Sequence, residues 1–368
     1  MTTSQIAYFD GAKPASEEWP RIAGRIGAVI DASAYVDGPE VTALEADIRR
    51  YTGARHAIAC GSGTEALVLL LAAAGVGPGD DVVVPAFSFI ATATTVSMLG
   101  ANAVFVDIEP ESYAMDPARL EAALTPQTRA VVPVHLFTQP ADMTAITAVA
   151  TTAGTTVIED SAEGIGMRHD GVHTGLLGSG GVLSFFPTKT LGALGDAGMV
   201  ITSDDQIGAR CRSLRGQVCA SLMDDIQAVV LRERMRRLDR DIALRAELAA
   251  AYDSRLAALA PFVTVPVIRQ RTVPVQAVYY VYLIEAQAKC ALVRHLKADG
   301  IETEEYYPQP IPFQPCYRWR GYRPGHFPVA ERACARTVAL PLYPGLSMAS
   351  VDRVCDSIAR FYEGGGQP

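Results

Sequence analysis

Between Arg55 and Ser203, short apolar runs alternate with segments of helical character. The runs His56–Cys60, Asp81–Pro85, Ala103–Ile108, Ala130–Val134, Thr156–Asp160, Val182–Phe186 and Met199–Thr202 predict strands. Thr64–Ala74 and Asp142–Ala153 predict helices between them. Strands that are apolar throughout, rather than alternating, are buried on both faces. This half of the chain therefore predicts a mostly parallel sheet covered by helices. Ligands of such sheets lie beyond the carboxyl ends of the strands, so the residues just after each strand are the first to inspect.

Met223–Leu259 has few breakers and predicts one long helix, whose LRERMRRLDRD stretch reads as a solvated or interface-lining charged face with i,i+4 pairs. Prolines at 261, 266 and 274 mark a shift, followed by a predicted strand AVYYVYLIEA and a surface-looking helix KCALVRHLKADG. The loop YYPQPIPFQPCY and helices near Pro328–Thr337 and Ala349–Tyr362 complete a smaller lobe. The expected division is a large domain over residues 1–250 and a small C-terminal domain over 251–368.

Composition narrows the function. With 49% hydrophobic residues in 368, the chain can bury a large core. A net charge of −8 and no long basic run argue against a nucleic-acid partner. The longest apolar run, Ala66 to Val76, is too short to span a bilayer, and the start lacks a secretory pattern. The seven cysteines (Cys60, Cys211, Cys219, Cys290, Cys316, Cys334 and Cys355) show no metal-ligand spacing. They read as free thiols of a cytoplasmic protein with no metal and no membrane partner.

Three segments carry chemistry. Gly61-Ser62-Gly63-Thr64 follows a strand and opens a helix, where unpaired N–H groups favour a phosphate. Gly61-x-Gly63-x-x-Ala66 also fits a dinucleotide fingerprint, which keeps a nicotinamide oxidoreductase as an alternative. Glu159-Asp160-Ser161-Ala162-Glu163 ends another strand, and a half-buried carboxylate there needs a partner such as a protonated pyridine nitrogen. Ser184-Phe185-Phe186-Pro187-Thr188-Lys189 leaves a third. Only Lys13, Lys189, Lys289 and Lys297 occur among 32 basic residues, and Lys189 alone runs from an apolar strand into a glycine-rich loop. Partial desolvation there predicts a lowered pKa and Schiff-base chemistry with an aldehyde. His135, ending VVPVH, reads as a hydrogen-bonded core histidine.

Phosphate cradle, ring-nitrogen partner and Schiff-base lysine, in that order, resemble the fold-type I pyridoxal-phosphate enzymes. The stretches GPEVTALEADI, GSGTEAL, DVVVPAFSFIATA, VVPVHLF, VIEDSAEGIG, SFFPTKTLGALGDAG, DDIQA, YYPQPI and FPVAERA resemble the DegT/StrS-type sugar aminotransferases from about Ile6 to Ala359. The resemblance implies an α/β fold: a large domain with a mixed, mostly parallel seven-stranded sheet plus a smaller C-terminal α/β domain. It implies pyridoxal 5′-phosphate as cofactor and a homodimer with active sites at the subunit interface. Lys189 would bind the cofactor covalently and move protons, and Asp160 would pair with the ring nitrogen. Phe89 would stack on the ring, Gly63, Thr64 and Ser184 would hold the phosphate, and Glu163 would lie near the phenolic oxygen. The implied reaction moves an amino group from L-glutamate to a keto-sugar, most often nucleotide-linked. Lysine rather than histidine at position 189 favours transamination over sugar dehydration.

Ala220 and Leu222 replace an asparagine and an arginine usual in the loop that reaches the partner's phosphate. Ser221, Arg212 and Arg215 are the polar residues available in their stead. Pro312 replaces a histidine of the substrate-facing lobe, which raises a cyclitol or other carbocyclic ketone as an alternative acceptor. The missing phosphate ligands also raise a non-catalytic pyridoxal-phosphate protein. Thr138, where relatives have glycine, suggests no function.

Overall fold

The computed structural model describes residues 5–218 and 221–365, so Cys219 and Ala220 lie outside the described residues. In chain order, the strands of the N-terminal part are β1 (His56–Cys60), β2 (Asp81–Pro85), β3 (Asn102–Val106), β4 (Thr128–Val131) and β5 (Thr156–Asp160). They continue with β6 (Arg168–His169), β7 (Val172–His173), β8 (Gly180–Ser184) and β9 (Gly198–Thr202). Seven of them form one sheet in the order β1-β9-β8-β5-β4-β2-β3. Only β9 runs against its neighbours, pairing antiparallel with both β1 and β8. The sheet is mixed and mostly parallel, as expected. The carboxyl ends of β1, β5 and β8 consequently share one edge.

The apolar runs form strands because helices cover both faces of the sheet. The helix Gly63–Ala73 is buried from Ala66 to Leu71. A helix apolar all round can only be stable inside a core. Predicted strand ends shift by a few residues; the third segment, expected to reach Phe186, leaves the sheet at Ser184.

In the C-terminal part, β10 (Val263–Thr264), β12 (Tyr282–Ala286) and β13 (Thr337–Leu340) make a three-stranded antiparallel sheet. The short β11 (Val275–Gln276) instead pairs with β6. The helices Lys289–Ala298 and Met348–Glu363 pack on a second core with Leu248, Tyr252 and Leu256.

Three expectations fail here. The long helix is two, Asp225–Met235 and Leu238–Leu256. Arg237 at the junction turns out of helical geometry (φ −122°, ψ 6°), and its guanidinium lies 2.9 Å from Glu18 and 3.1 Å from Asp241. The break lets the first helix pack beside the large sheet while the second reaches the C-terminal core. Second, the strand expected from Ala277 begins only at Tyr282. Its upstream part is drawn away: the N–H groups of Val278 and Tyr280 donate to the carbonyls of Thr138 and Phe137, both at 2.9 Å. Third, Lys289 is no surface residue; its ammonium is buried, donating to the Cys334 carbonyl at 2.8 Å and lying 3.3 Å from Glu305.

Candidate active site

The edge shared by β1, β5 and β8 opens into a cavity of about 400 Å³. Of the residues singled out from the sequence, Gly63, Thr64, Phe89, Asp160, Glu163, Ser184 and Lys189 all line it. Residues more than a hundred positions apart meet because each follows a strand of the same sheet.

Ser62 caps the helix Gly63–Ala73, its side chain accepting from the Glu65 N–H at 3.1 Å. Gly63 sits against Ser184: a Cβ at Gly63 would lie 2.7 Å from the Ser184 Cβ. Only glycine allows this approach, which brings the Ser184 hydroxyl beside the unpaired N–H groups of the helix start. Hydroxyls and backbone donors converging this way suit a phosphate. Ser221 docks on the same loop, its Oγ accepting from the Gly61 N–H (2.7 Å) and donating to Glu65 (2.6 Å). Arg212 and Arg215 do not substitute for the missing arginine. Arg212 holds Glu45 and the Ala57 carbonyl, and Arg215 holds Asp37 and the Ala59 carbonyl.

Adjacent carboxylates at the end of β5 have opposite tasks. Glu159 is fully buried under the sheet and accepts from the N–H groups of Gly175, Leu177 and Gly178, each at 2.7 Å. The Ala141 N–H donates to His135 Nδ1 (3.1 Å), which leaves Nε2 to donate to Glu159 (2.8 Å). His135 is thus the core histidine its setting suggested. Asp160 points the other way, into the cavity, where it accepts from Thr92 Oγ1 (2.7 Å) and the Ala162 N–H (3.2 Å). Ser88 bonds Thr92 in turn at 2.9 Å. One oxygen of Asp160 is thereby fixed by a hydroxyl chain that a linear motif does not reveal.

Lys189 Nζ lies 3.2 Å from Glu163 Oε1, and Glu163 Oε2 accepts from the Phe137 N–H at 2.7 Å. The pKa expectation is reversed. Burial alone would favour the neutral amine, but the facing Glu163, with Tyr280 and Asp160, raises Lys189 above its ordinary value. Burial pushes the Glu163 carboxyl up as well, with Lys189 and the Phe137 N–H opposing. The loop carrying Lys189 is held from the helix Asp225–Met235. Gln227 accepts from the Leu194 N–H (2.9 Å), and Arg234 donates to the carbonyls of Gly192 (2.5 Å) and Ala193 (3.2 Å). The charged helix face is therefore not simply solvated. Asp224 caps that helix and Asp225 caps the helix Pro39–Thr52 through Gly38 and Glu40, so DDIQA is a positioning motif.

Phe89 stands at the cavity mouth, 59% exposed, which rules out ordinary core packing. Tyr280, Tyr306 and Tyr307 form a wall that the sequence reading missed, although YYPQPI contains two of them. Burial raises the Tyr306 and Tyr307 phenols, so they remain hydrogen-bond donors. Pro312 is buried in a 3₁₀ turn and does not line this cavity. The dinucleotide reading falls: β1 is an edge strand paired antiparallel, not the central parallel strand of a dinucleotide fold.

A lysine facing a carboxylate, a second carboxylate fixed by a hydroxyl and a hydroxyl-lined helix start around one cavity fit pyridoxal phosphate in donor set and size. Comparison with known proteins agrees. The chain is 40% identical over 363 residues to a pleiotropic regulatory protein of Geobacillus stearothermophilus, covering 94% of this chain and 97% of that one. It is 37% identical over 367 residues to the UDP-2-acetamido-2-deoxy-3-oxo-D-glucuronate aminotransferase of Pseudomonas aeruginosa, covering 96% and 99%. The structure of S. venezuelae DesV in complex with a ketimine intermediate superimposes with a TM-score of 0.93 at 34% identity, covering 98% and 99%. A Bacillus subtilis structure with bound cofactor PMP superimposes at 0.84 with 26% identity, covering 98% and 87%. Residues 18–359 match the DegT/DnrJ/EryC1/StrS aminotransferase family, and this chain is a member of it, a transaminase with pyridoxal phosphate as cofactor.

Proposed function

We propose that this aminotransferase moves the amino group of an amino acid, L-glutamate, to a nucleotide-linked keto-sugar in amino-sugar biosynthesis. The observation that carries the reading is the meeting of Lys189, Asp160 and the Gly63–Ser184 cradle in one cavity. Bound pyridoxal phosphate supplies an aldehyde and an electron-withdrawing ring. Lys189 would hold the aldehyde group, and its amine would carry a proton to and from the substrate carbon. Asp160, oriented by Thr92, would keep the ring nitrogen charged. Gly63, Thr64 and Ser184 would hold the phosphate, Phe89 would cover the ring, and Glu163 would lie near the phenolic oxygen and take or return a proton at Lys189 Nζ. The sugar-nucleotide activity of the Pseudomonas relative supports the acceptor class.

The working unit in this reading is a homodimer. Among the described residues, the lining has no basic residue apart from Lys189, while Asp160, Glu163 and Asp196 are all acidic. Phe89 and Phe186 line the cavity and are exposed. A second copy would cover them and bring the missing positive charge. The two domains would divide near residue 250, inside the helix Leu238–Leu256, whose second half joins the C-terminal core. No helix of the described residues is long and apolar enough to cross a membrane. Glutamate should bleach the visible absorbance of the holoenzyme, and UDP- or dTDP-linked amino sugars should do so in the reverse direction. A holoenzyme unresponsive to every nucleotide-linked amino sugar, yet converted by free aminocyclitols, would overturn the acceptor assignment.

A further inference from the structure

Glu163 and Tyr280 grip the Lys189 ammonium from two sides. Nζ lies 3.2 Å from Glu163 Oε1 and 4.3 Å from the centre of the Tyr280 ring. Both jaws hang on one residue. Phe137, in the left-handed region at φ +62°, gives its N–H to Glu163 and takes the N–H of Tyr280 on its carbonyl, at 2.7 and 2.9 Å. Tyr280 is held further by its carbonyl, which accepts from Arg245 at 3.0 Å, and by its hydroxyl, 3.3 Å from Thr188 Oγ1. Arg245 is 2% exposed and ties the carbonyls of Tyr280 (3.0 Å) and Leu342 (2.9 Å) together. The backbone bonds fix the place of the Tyr280 main chain beside the lysine, and the contact of its hydroxyl with Thr188 holds the ring itself.

The negative face of an aromatic ring stabilises an ammonium and does nothing comparable for a neutral amine. Capture of an aldehyde needs the neutral amine. The Nζ lone pair bonds the aldehyde carbon, the C=N bond forms, and the aldehyde oxygen leaves as water with two protons from nitrogen. We propose that Tyr280 is a positioning residue that holds free Lys189 as the ammonium and so sets the pH at which Nζ captures the cofactor's aldehyde. The inference rests on Lys189 being the cofactor's lysine.

Other groups act on the same proton. Glu163 and Asp160 face Nζ from the end of β5, and Tyr306 and Tyr307 from the C-terminal part. On the far side of Lys189, Asp10, Asp241, Arg234, Arg237 and Arg245 line a second cavity of about 50 Å³. All of these remain when the Tyr280 ring is removed, so the ring's share can be isolated. A desolvated cation–π contact predicts a shift of about one pH unit.

The test uses full-length protein freed of cofactor and mixed with pyridoxal phosphate across a pH series, with attached cofactor trapped by borohydride and counted by mass. Wild type and Tyr280→Phe should share one midpoint, because both keep the ring. Tyr280→Leu should capture at a midpoint about one unit lower, and about tenfold faster on the acid side of the wild-type midpoint. Should circular dichroism show that the leucine variant does not fold, Tyr280→Met poses the same question. An unchanged midpoint in the ringless variant, or an equal shift in Tyr280→Phe, overturns the proposal. Equal trapping on Lys189→Ala is a separate failure, that of the lysine assignment itself.

Discussion

Lys189 follows a strand of the large sheet and Lys289 opens a helix of the C-terminal part, both withdrawn from bulk water, with side chains 15% and 6% exposed. Lys289 spends its ammonium on the Cys334 carbonyl and lies beside Glu305. Lys189 faces a buried carboxylate and an aromatic ring at the edge of a 400 Å³ cavity. Burial is common to both, so burial does not make a lysine reactive. Each also has a carboxylate beside it, so what separates them is the room for an electrophile that the cavity gives Lys189.

The largest expected effect follows directly. Lys189→Ala should abolish covalent cofactor attachment and cut turnover by at least about 10³-fold. Lys289→Met should leave both intact and lower stability by about 1–3 kcal/mol in denaturant unfolding, since the Cys334 carbonyl loses its donor. Loss of cofactor attachment in the second variant would erase the contrast.

The neighbouring carboxylates repeat the comparison on a smaller scale. Asp160→Asn should lower kcat by about 10²-fold with little change in the unfolding midpoint, because Asp160 lines the cavity. Glu159→Gln should do the reverse in kind. It disturbs acceptance from His135 and three backbone N–H groups, so its first effect is a loss of about 1–3 kcal/mol of stability. The smallest effect belongs to Thr92→Val. Losing one hydrogen bond to a charged group costs about 1.5–3 kcal/mol, and the part felt at the ring nitrogen should lower kcat by roughly tenfold without altering cofactor stoichiometry.

Much of this was legible in the chain. Continuous apolar strands alternating with helices specify a covered, mostly parallel sheet, and residues following such strands are brought to one edge. That is why Gly63, Thr64, Asp160, Ser184 and Lys189, singled out at or near strand ends, line one cavity. The wall made by Tyr280, Tyr306 and Tyr307 was not legible, because it comes from a lobe whose placement depends on backbone bonds to Phe137 and Thr138. Thr138, silent in the sequence, receives the Val278 N–H. The kink at Arg237 escaped for the same reason: helical propensity is unbroken there, and only the packing of Glu18 against Arg234 and Arg237 selects it.

By itself the sequence determined the alternation of strands and helices, the glycine that admits Ser184 beside the helix start, and which of four lysines runs from an apolar strand into a glycine-rich loop. These are local matters of hydrophobic period, backbone freedom and side-chain chemistry. Tertiary structure decided which of two adjacent acids enters the cavity, which arginines are spent elsewhere, and the charge state of Lys189. A pKa is set by what stands within a few ångströms in space, and at Lys189 those neighbours are Glu163, Tyr280 and Asp160.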